Sequence, residues 1–313
     1  MRVSFAMRYQ NMTRQIGARQ EDLSRLSDQL ASGQGLQRPS TDPAAWSQAS
    51  TLTDGLRQLD TYQNNLDFAV GWNNQTDQAL NSLHDLLTKA RELGIRAVSV
   101  SPELGVAELN QVIEEAVQAA NQDANGRYLF GGDAGTDSAL EPFSVTRDAD
   151  GTVTAVSNFQ SYNASESWQT STRIGKNTTQ VVNVDGRAVF LDDPSVDSSG
   201  GSPDDNILQH LVALRDAMQA GDTGTIQDQL SFVETAQERV LSQNSAVGAR
   251  LSSLERRADF LTSLKVDREN RRSELKDTDL ATTITEFQLK GTALEAAYKT
   301  ASMLDGLNLQ DYL

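Results

Sequence analysis

Chemistry at a protein site needs acids, bases, nucleophiles or metal ligands within reach of one another, and this chain of 313 residues offers few. It has two histidines, His84 and His210, and no cysteine. Both histidines fall in helical patterning, with no nucleophile or carboxylate at a spacing that would make a general base or a ligand set, so they read as packed or solvated imidazoles. The missing thiols remove disulfides, thiolate zinc sites and cysteine nucleophiles together. In "RDADGT", Asp148, Asp150 and Gly151 have the opening spacing of a calcium loop. The later ligands and the closing glutamate are absent, so the segment reads as a hairpin turn. "GGDAGTD" after Phe130 is followed by no Lys-Ser/Thr pair and opens no helix, which removes a phosphate cradle. Arg268, Arg271 and Arg272 alternate with Asp267, Glu269 and Glu274, the texture of a solvated helix face or a hinge rather than a phosphate tract. No catalytic residue, metal ligand or cofactor-binding residue emerges; an enzyme reading would have to rest on the β-rich middle of the chain.

The totals narrow the partners. A formal net charge of -16 repels a nucleic-acid backbone. Hydrophobic residues make up 38% and aromatics 6%, lean for a compact enzyme and suited to an elongated helical protein. No apolar run approaches the roughly 18 residues of a membrane span. The opening "MRVSFAMRYQNMTRQIGARQ" lacks the apolar core and small-residue cleavage site of a secretory signal. It does carry Arg2, Arg8, Arg14 and Arg19 before any acid. A transit peptide or a membrane-surface helix would share that pattern, but the periodicity runs on past any plausible cleavage point.

Stepping from residues to elements, Tyr9, Ile16, Leu23 and Leu30 share one heptad position and Phe5, Met12 and Leu26 the other, with Arg19 the one charged intruder. A 3.5-residue repeat is what a helix needs to lie along another helix, so Met7 to Ala31 is expected to be a coiled-coil helix. Gly33 and Gly35 can take the left-handed conformation that ends it, and Pro39 cannot continue it. Asp42 then caps a restart with Pro43 in the first helical turn. The second helix carries Leu52, Leu59, Leu66, Asn73, Leu80 and Leu87 in one seam position and Tyr62, Ala69, Thr76, Leu83, Ala90 and Ala97 in the other. From Pro43 to about Val100 it would be a rod of roughly 85 Å. A third helix after Pro102 buries Leu109, Val112, Ile113, Ala116, Val117 and Ala120.

The C-terminal half mirrors this. A seam runs from Ile226 through Leu230, Val233, Val240, Val247, Leu251, Leu254, Ala258 and Leu261, with Gln237 and Asn244 as polar insertions that set register. It lapses at "KVDRENRR" and resumes through Leu280, Ile284, Phe287, Leu294, Tyr298, Ala301, Leu304 and Leu307. Between the halves, "PFSVTRDADGTVTAVSNF" and "TQVVNVDGRAVF" each read as strand, Asp-Gly turn, strand. The fold expected is mainly α with a β-rich insertion: an elongated rod of long coiled-coil helices from both termini carrying a small β domain. Its parts would be terminal helices at 1–42 plus 270–313, a helical rod at 43–126 plus 204–269, and a β-rich outer domain at 127–203. The assembly interface is expected at Tyr9, Met12, Ile16, Leu23, Leu26, Leu30, Ile284, Phe287, Leu294, Tyr298, Ala301, Leu304 and Leu307, with the helix break and restart at Gly33, Gly35, Pro39, Asp42 and Pro43.

With both ends in view, the chain resembles the bacterial flagellin superfamily. "LSDQLASGQGLQRPSTDPAAWSQAS" is similar to the family's N-terminal motif, and "DTDLATTITEFQLKGTALEAAYKTASMLDGLNLQDYL" to its C-terminal one. Trp46 departs from the small residue common at that place. "GRYLFGG", "VVNVDGRAVF" and the ending "LNLQDYL" look more like members at the hook–filament junction than like the filament subunit, which stays the alternative. The resemblance implies an inner tube built by the terminal helices, a surrounding tube built by the longer ones, and a β domain facing outward. It implies export through the flagellar type III channel and a place in the bacterial flagellum. The implied partners are hook-associated protein 1 on the hook side, flagellin on the filament side, copies of itself in a ring, and an export chaperone on the C-terminal helix, with neither nucleic acid nor membrane. No cofactor is implied. Physically, a thin seam diluted by alanine and polar residues is weak alone and gains stability when neighbours cover it, so residues 1–42 and about 270–313 are expected to be disordered in the monomer.

Overall fold

The computed structural model describes residues 5–132, 141–158, 169–192 and 206–310. Seven helices and three two-stranded antiparallel sheets occur among them. They divide into two compact units, Met1–Gln58 with Ser263–Leu313, and Leu59–Thr262.

In the larger unit the heptads become a core. Helix α2 (Pro43–Ser99) and helix α6 (Thr223–Lys276) carry it. Leu59, Leu66, Asn73, Leu80 and Leu87 are buried on α2, as are Ala69, Thr76, Leu83, Ala90 and Ala97. On α6 the buried residues Ile226, Val233, Val240, Val247, Leu254 and Leu261 recur every seventh position. A strict seven-residue repeat keeps a seam in place only if the helices supercoil, left-handed. Cross-helix bonds fix one antiparallel register. Gln63 donates to Thr262, Asn244 to Asn81 and Gln237 to Thr88, while Arg91 pairs with Glu234. Each advance along α2 is matched residue for residue by an equal retreat along α6, without a slip.

A further polar device lies deeper in this seam. Gln237 and Asn244 bond at the half-buried rim, at 2.9 Å and 2.6 Å. The buried one is Asn73, whose Nδ2 donates to the carbonyls of Ala69 at 2.8 Å and Val182 at 3.0 Å. Arg250 reaches the same place, donating to the Asn183 carbonyl at 2.9 Å. Burial pushes the guanidinium pKa down, the cost of taking that charge out of water. A buried polar group must be bonded, so Asn73 and Arg250 tie the segment at Val182–Asn183 to both long helices.

Helix α3 (Val106–Ala120) buries Leu109, Val112, Ile113, Ala116, Val117 and Ala120, the expected stripe. The strands follow it. β1 (Asp123–Ala124) pairs with β2 (Arg127–Tyr128) across a tight turn in which Asn125 and Gly126 have φ of 55° and 78°. β3 (Phe143–Arg147) pairs with β4 (Val153–Asn158), the hairpin foreseen around Asp148–Gly151. There the Asp148 carboxylate accepts the amides of Asp150 and Thr152, so it completes a turn.

The second expected hairpin is different. β6 (Thr178–Val181) pairs backwards with β5 (Ser171–Gly175), and "DGRAVF" is a short helix, α4 (Gly186–Phe190). Asp185 decides this: its carboxylate accepts the Arg187 amide at 3.0 Å, an N-cap rather than a hairpin turn. Phe190 then packs edge-on to Phe130 at 5.1 Å and tilted on Phe143 at 4.7 Å. Helix α5 (Ile207–Ala220) closes the unit, its Arg215 buried and donating to the carbonyl of Val153.

His210 is structural. Its Nε2 lies 2.7 Å from Asp192 and its Nδ1 2.8 Å from Gln229, and its ring stacks on Phe232 at 4.2 Å. The imidazole bond, seconded by Arg239, holds the Asp192 carboxyl below the usual range against the opposing effect of burial. His84 is half-buried on α2, and its Nδ1 has no hydrogen-bond partner among the described residues.

The two polar sites should separate on substitution. Arg250→Ala removes the donor to the Asn183 carbonyl and to the Asn73 Oδ1, and urea unfolding should show a loss of about 1–3 kcal/mol. Asn244→Leu, at the rim, should shift stability by no more than about 0.5 kcal/mol. Equal effects would contradict the assignment of Asn73 and Arg250 as the buried pin.

Candidate functional site: the paired helix breaks and terminal helices

In the smaller unit, helix α1 (Phe5–Ser32) and helix α7 (Leu280–Gln310) pack together, and between each of them and its long inner helix the chain breaks. On the N-terminal side Gly33 ends α1 with φ 69°, a left-handed conformation that glycine adopts without strain. Asp42 restarts the chain: its Oδ1 accepts the amides of Ala44 at 3.0 Å and Ala45 at 2.9 Å, with Pro43 opening α2. Gly33, Gly35, Pro39, Asp42 and Pro43 therefore all lie at the break they were expected to form.

The C-terminal break is shorter and built the same way. α6 runs unbroken through "KVDRENRR" to Lys276, where Arg271 pairs with Asp267 one turn away. The lapse in the apolar seam is thus a solvated helix face, and the break comes later, at Asp277–Asp279. Asp279 is the cap: its Oδ1 accepts the amides of Ala281 at 3.0 Å and Thr282 at 3.2 Å, and its Oδ2 accepts the Thr282 hydroxyl at 2.8 Å. Those bonds, the Thr282 hydroxyl first, hold the Asp279 carboxyl below its ordinary range.

The breaks meet. The amides of Gly35 and Leu36 donate to the Lys276 carbonyl at 2.8 and 3.2 Å, and the Thr278 amide donates to the Gly33 carbonyl at 3.0 Å. Gln34 and Asp277 form an antiparallel bridge. Leu36 is buried beneath the junction. Carbonyls left open by a helix end are satisfied here by the other break rather than by solvent. Sequence reading found the N-terminal break, placed the C-terminal one too early, near residue 270, and missed their pairing, because nothing local in "GQG" or "DTD" names a backbone partner some 240 residues away.

Beyond the junction the terminal pair is loosely held. Met12, Ile16, Leu23 and Leu30 are half-buried, and Leu26 is fully buried. Arg19 lies in that seam because its guanidinium donates to the Ala293 carbonyl at 2.7 Å. Gln20 donates to the Tyr298 hydroxyl at 2.6 Å, and Lys290 pairs with Asp22, which depresses the Asp22 carboxyl. On α7, Phe287, Leu294 and Ala301 are half-buried. Ile284 and Tyr298 are each 45% exposed and Tyr9 54%, so these three expected interface residues are open to a further partner. Leu304 and Leu307 lie within α7, and their side chains fall outside the described residues. Sequence reading missed Leu289 and Met303, which are 70% and 69% exposed on another face of α7. Their spacing with Thr282 and Ala296 is a second heptad, a signal open to counting. A helix apolar on more than one face is suited to burial among several neighbours.

No group of three or more histidine, aspartate or glutamate side chains placed to hold a metal occurs among the described residues, and no described helix is long and apolar enough to cross a membrane. The arrangement offers packing surfaces and a bonded chain break.

Comparison with known proteins agrees with that geometry. Residues 3–134 match the family described as the bacterial flagellin N-terminal helical region. The chain is 26% identical to flagellar hook-associated protein 3 of Escherichia coli, covering 99% of this chain and 98% of the relative. It is 24% identical to flagellar hook-associated protein 3 of Salmonella typhimurium, with the same coverages. Its fold is similar to that of the flagellar junction protein of Legionella pneumophila, with a TM-score of 0.51 at 16% identity, covering 74% of this chain and 100% of that one.

Stability of the break should follow pH with a definite sign. Asp279 and Asp22 both have folded pKa values lowered below the unfolded ones, so their stabilisation is complete above the ordinary carboxylate range and is lost as pH falls through the lowered values. Hydrogen exchange in the assembled state should show the amides of Ala281 and Thr282 losing protection on acidification below about pH 4, and Asp279→Ala should remove that dependence. Asp42→Ala should cost about 1 kcal/mol in denaturant unfolding. A neutral effect of Asp42→Ala would contradict its capping role.

Proposed function

We infer that this chain, similar over almost its whole length to hook-associated protein 3 and matching the flagellin N-terminal region, is a structural subunit of the bacterial flagellum that joins hook to filament. The observation that carries the reading is the pair of breaks bonded to each other. They divide each end of the chain into a tightly registered inner helix and a loosely packed terminal one, as a subunit contributing to two concentric layers requires. Ile284, Tyr298, Tyr9, Leu289 and Met303 are exposed apolar surface awaiting neighbours, more than a terminal pair with one buried leucine covers for itself.

On this reading the three parts proposed from sequence keep their roles, with the C-terminal boundary moved from 270 to the break at Asp277–Asp279: the terminal helices for the inner tube, the long helices for the outer tube, and 127–203 outward. The terminal helices are disordered in the free monomer and order on assembly, since an association that covers them adds its free energy to their folding. The neighbours are hook-associated protein 1 towards the hook, flagellin towards the tip and further copies of this chain. An export chaperone covers the C-terminal helix beforehand, and the chain leaves the cell through the flagellar export channel. Its work is mechanical rather than catalytic. His210 and the Asp148 loop, the groups most open to a chemical reading, are spent on packing and turn bonds.

Deleting the gene separates the junction reading from the filament reading that the flagellin match raises. Bare hooks with flagellin shed into the medium are expected. Bare hooks with no major filament protein anywhere would mean that this chain is the filament itself.

A further inference from the structure

Within the Leu59–Thr262 unit two surfaces of opposite charge stand free. The first is a basic knob at the β5–β6 turn. Arg173 and Lys176 are exposed there and make no ion pair among the described residues. The turn is fixed from beneath: Asn65 on α2 donates to the Arg173 carbonyl at 2.7 Å, and Arg257 on α6 donates to the Ile174 carbonyl at 3.4 Å. The Arg257 guanidinium lies so close over the turn that a Cβ on Gly175 would stand 2.6 Å from it. The same guanidinium lies 5.2 Å from the ring centre of Phe260, which is 53% exposed. Three cations and an open aromatic ring, held rigid, are unusual in a chain of net charge -16.

The second surface is an acidic groove of about 430 Å³ between α2 and α3, lined by Asp85, Leu86, Glu115 and Gln118 among others. Asp85 and Glu115 are exposed and make no ion pair among the described residues, although nearby Glu108 and Glu114 are taken by Lys89 and Arg147. Asn65, beneath the knob, and Asp85, in the groove, are twenty residues apart on one helix. That places the two surfaces about 30 Å apart along α2 and roughly half a turn around it, so they are separate patches.

We propose that these surfaces belong to one contact between two copies of this chain, in which the Arg173–Lys176–Phe260 knob of one copy seats in the Asp85–Glu115 groove of the next. Charge complementarity selects the occupant: the two exposed cations Arg173 and Lys176 face the two exposed carboxylates Asp85 and Glu115, and Leu86 meets the aromatic ring. Because knob and groove are different patches, the contact is heterologous and propagates from copy to copy. The offset along α2 makes the array a staggered, helical turn of subunits rather than a flat ring. The inference rests on the junction reading above, which supplies the neighbouring copies.

The absence of cysteine makes a direct test possible. Lys176→Cys combined with Glu115→Cys, expressed in the full chain in cells lacking the native gene, is oxidised on isolated flagella. The two positions are too distant for a bond within one chain, so a ladder of dimers, trimers and larger species is expected, and each single variant, whose one thiol faces an amine or a carboxylate rather than a second thiol, should stay monomeric. Restored filaments without any band above dimer would overturn the contact. Failure of the unaltered chain to restore filaments would sink the junction reading instead. Should the cysteine pair itself prevent assembly, charge reversal decides. Arg173→Glu with Lys176→Glu should lower the number of filament-bearing cells at least about tenfold. Adding Asp85→Lys and Glu115→Lys should restore it, and no restoration would equally overturn the contact.

Discussion

The Lys276 carbonyl receives the amide hydrogens of both Gly35 and Leu36, and the Gly33 carbonyl receives that of Thr278. Two places where the chain stops being helical are thereby made to solve each other's problem. A helix end buried against another element leaves polar groups that need partners, and two ends that pair need little solvent and few side chains to be satisfied. Once Gln34 and Asp277 are bridged, the caps at Asp42 and Asp279 set where each new helix starts.

The two helix pairs differ in kind. α2 and α6 share a single register over four cross-helix bonds, bury leucine, valine and alanine at every seventh position, and pin the Val182–Asn183 segment through Asn73 and Arg250. Sliding α6 by one residue would part all of these at once. α1 and α7 are held by Arg19, Gln20 and the Asp22–Lys290 pair, mostly at surface positions where such contacts contribute little, around one fully buried leucine. That gradient suits a component whose inner helices must keep shape while its ends wait for neighbours. It also explains why α7 is apolar on two faces: a helix meant for one partner would not need Leu289 and Met303.

Much of this was legible in sequence for a physical reason. Heptads are a local periodic signal, so both long helices, the stripe of α3 and the seam of α1 could be counted from Leu59, Ile113 or Leu26 onward. The Gly33–Pro43 break is equally local, since glycine, proline and a capping aspartate each act within a turn. Three features were not legible. "DGRAVF" can serve as hairpin turn or helix cap, and the choice fell to Asp185 and to the aromatic pocket for Phe190. "KVDRENRR" loses its apolar seam without losing its helix, because ion pairs such as Arg271–Asp267 sustain a solvated face. The partner of each break, like the buried Asn73–Arg250 pin, depends on residues far apart in sequence that only the folded chain brings together.

In the junction reading the breaks divide the chain into a self-sufficient inner part and terminal helices completed by neighbours. Hydrogen exchange compared between dilute monomer and assembled flagella measures this most directly. Amides of α1 and α7 should exchange freely in the monomer and become protected on assembly, while those of α2 and α6 between Leu59 and Thr262 stay protected in both. Strong protection of α1 and α7 in a verified monomer would contradict the account.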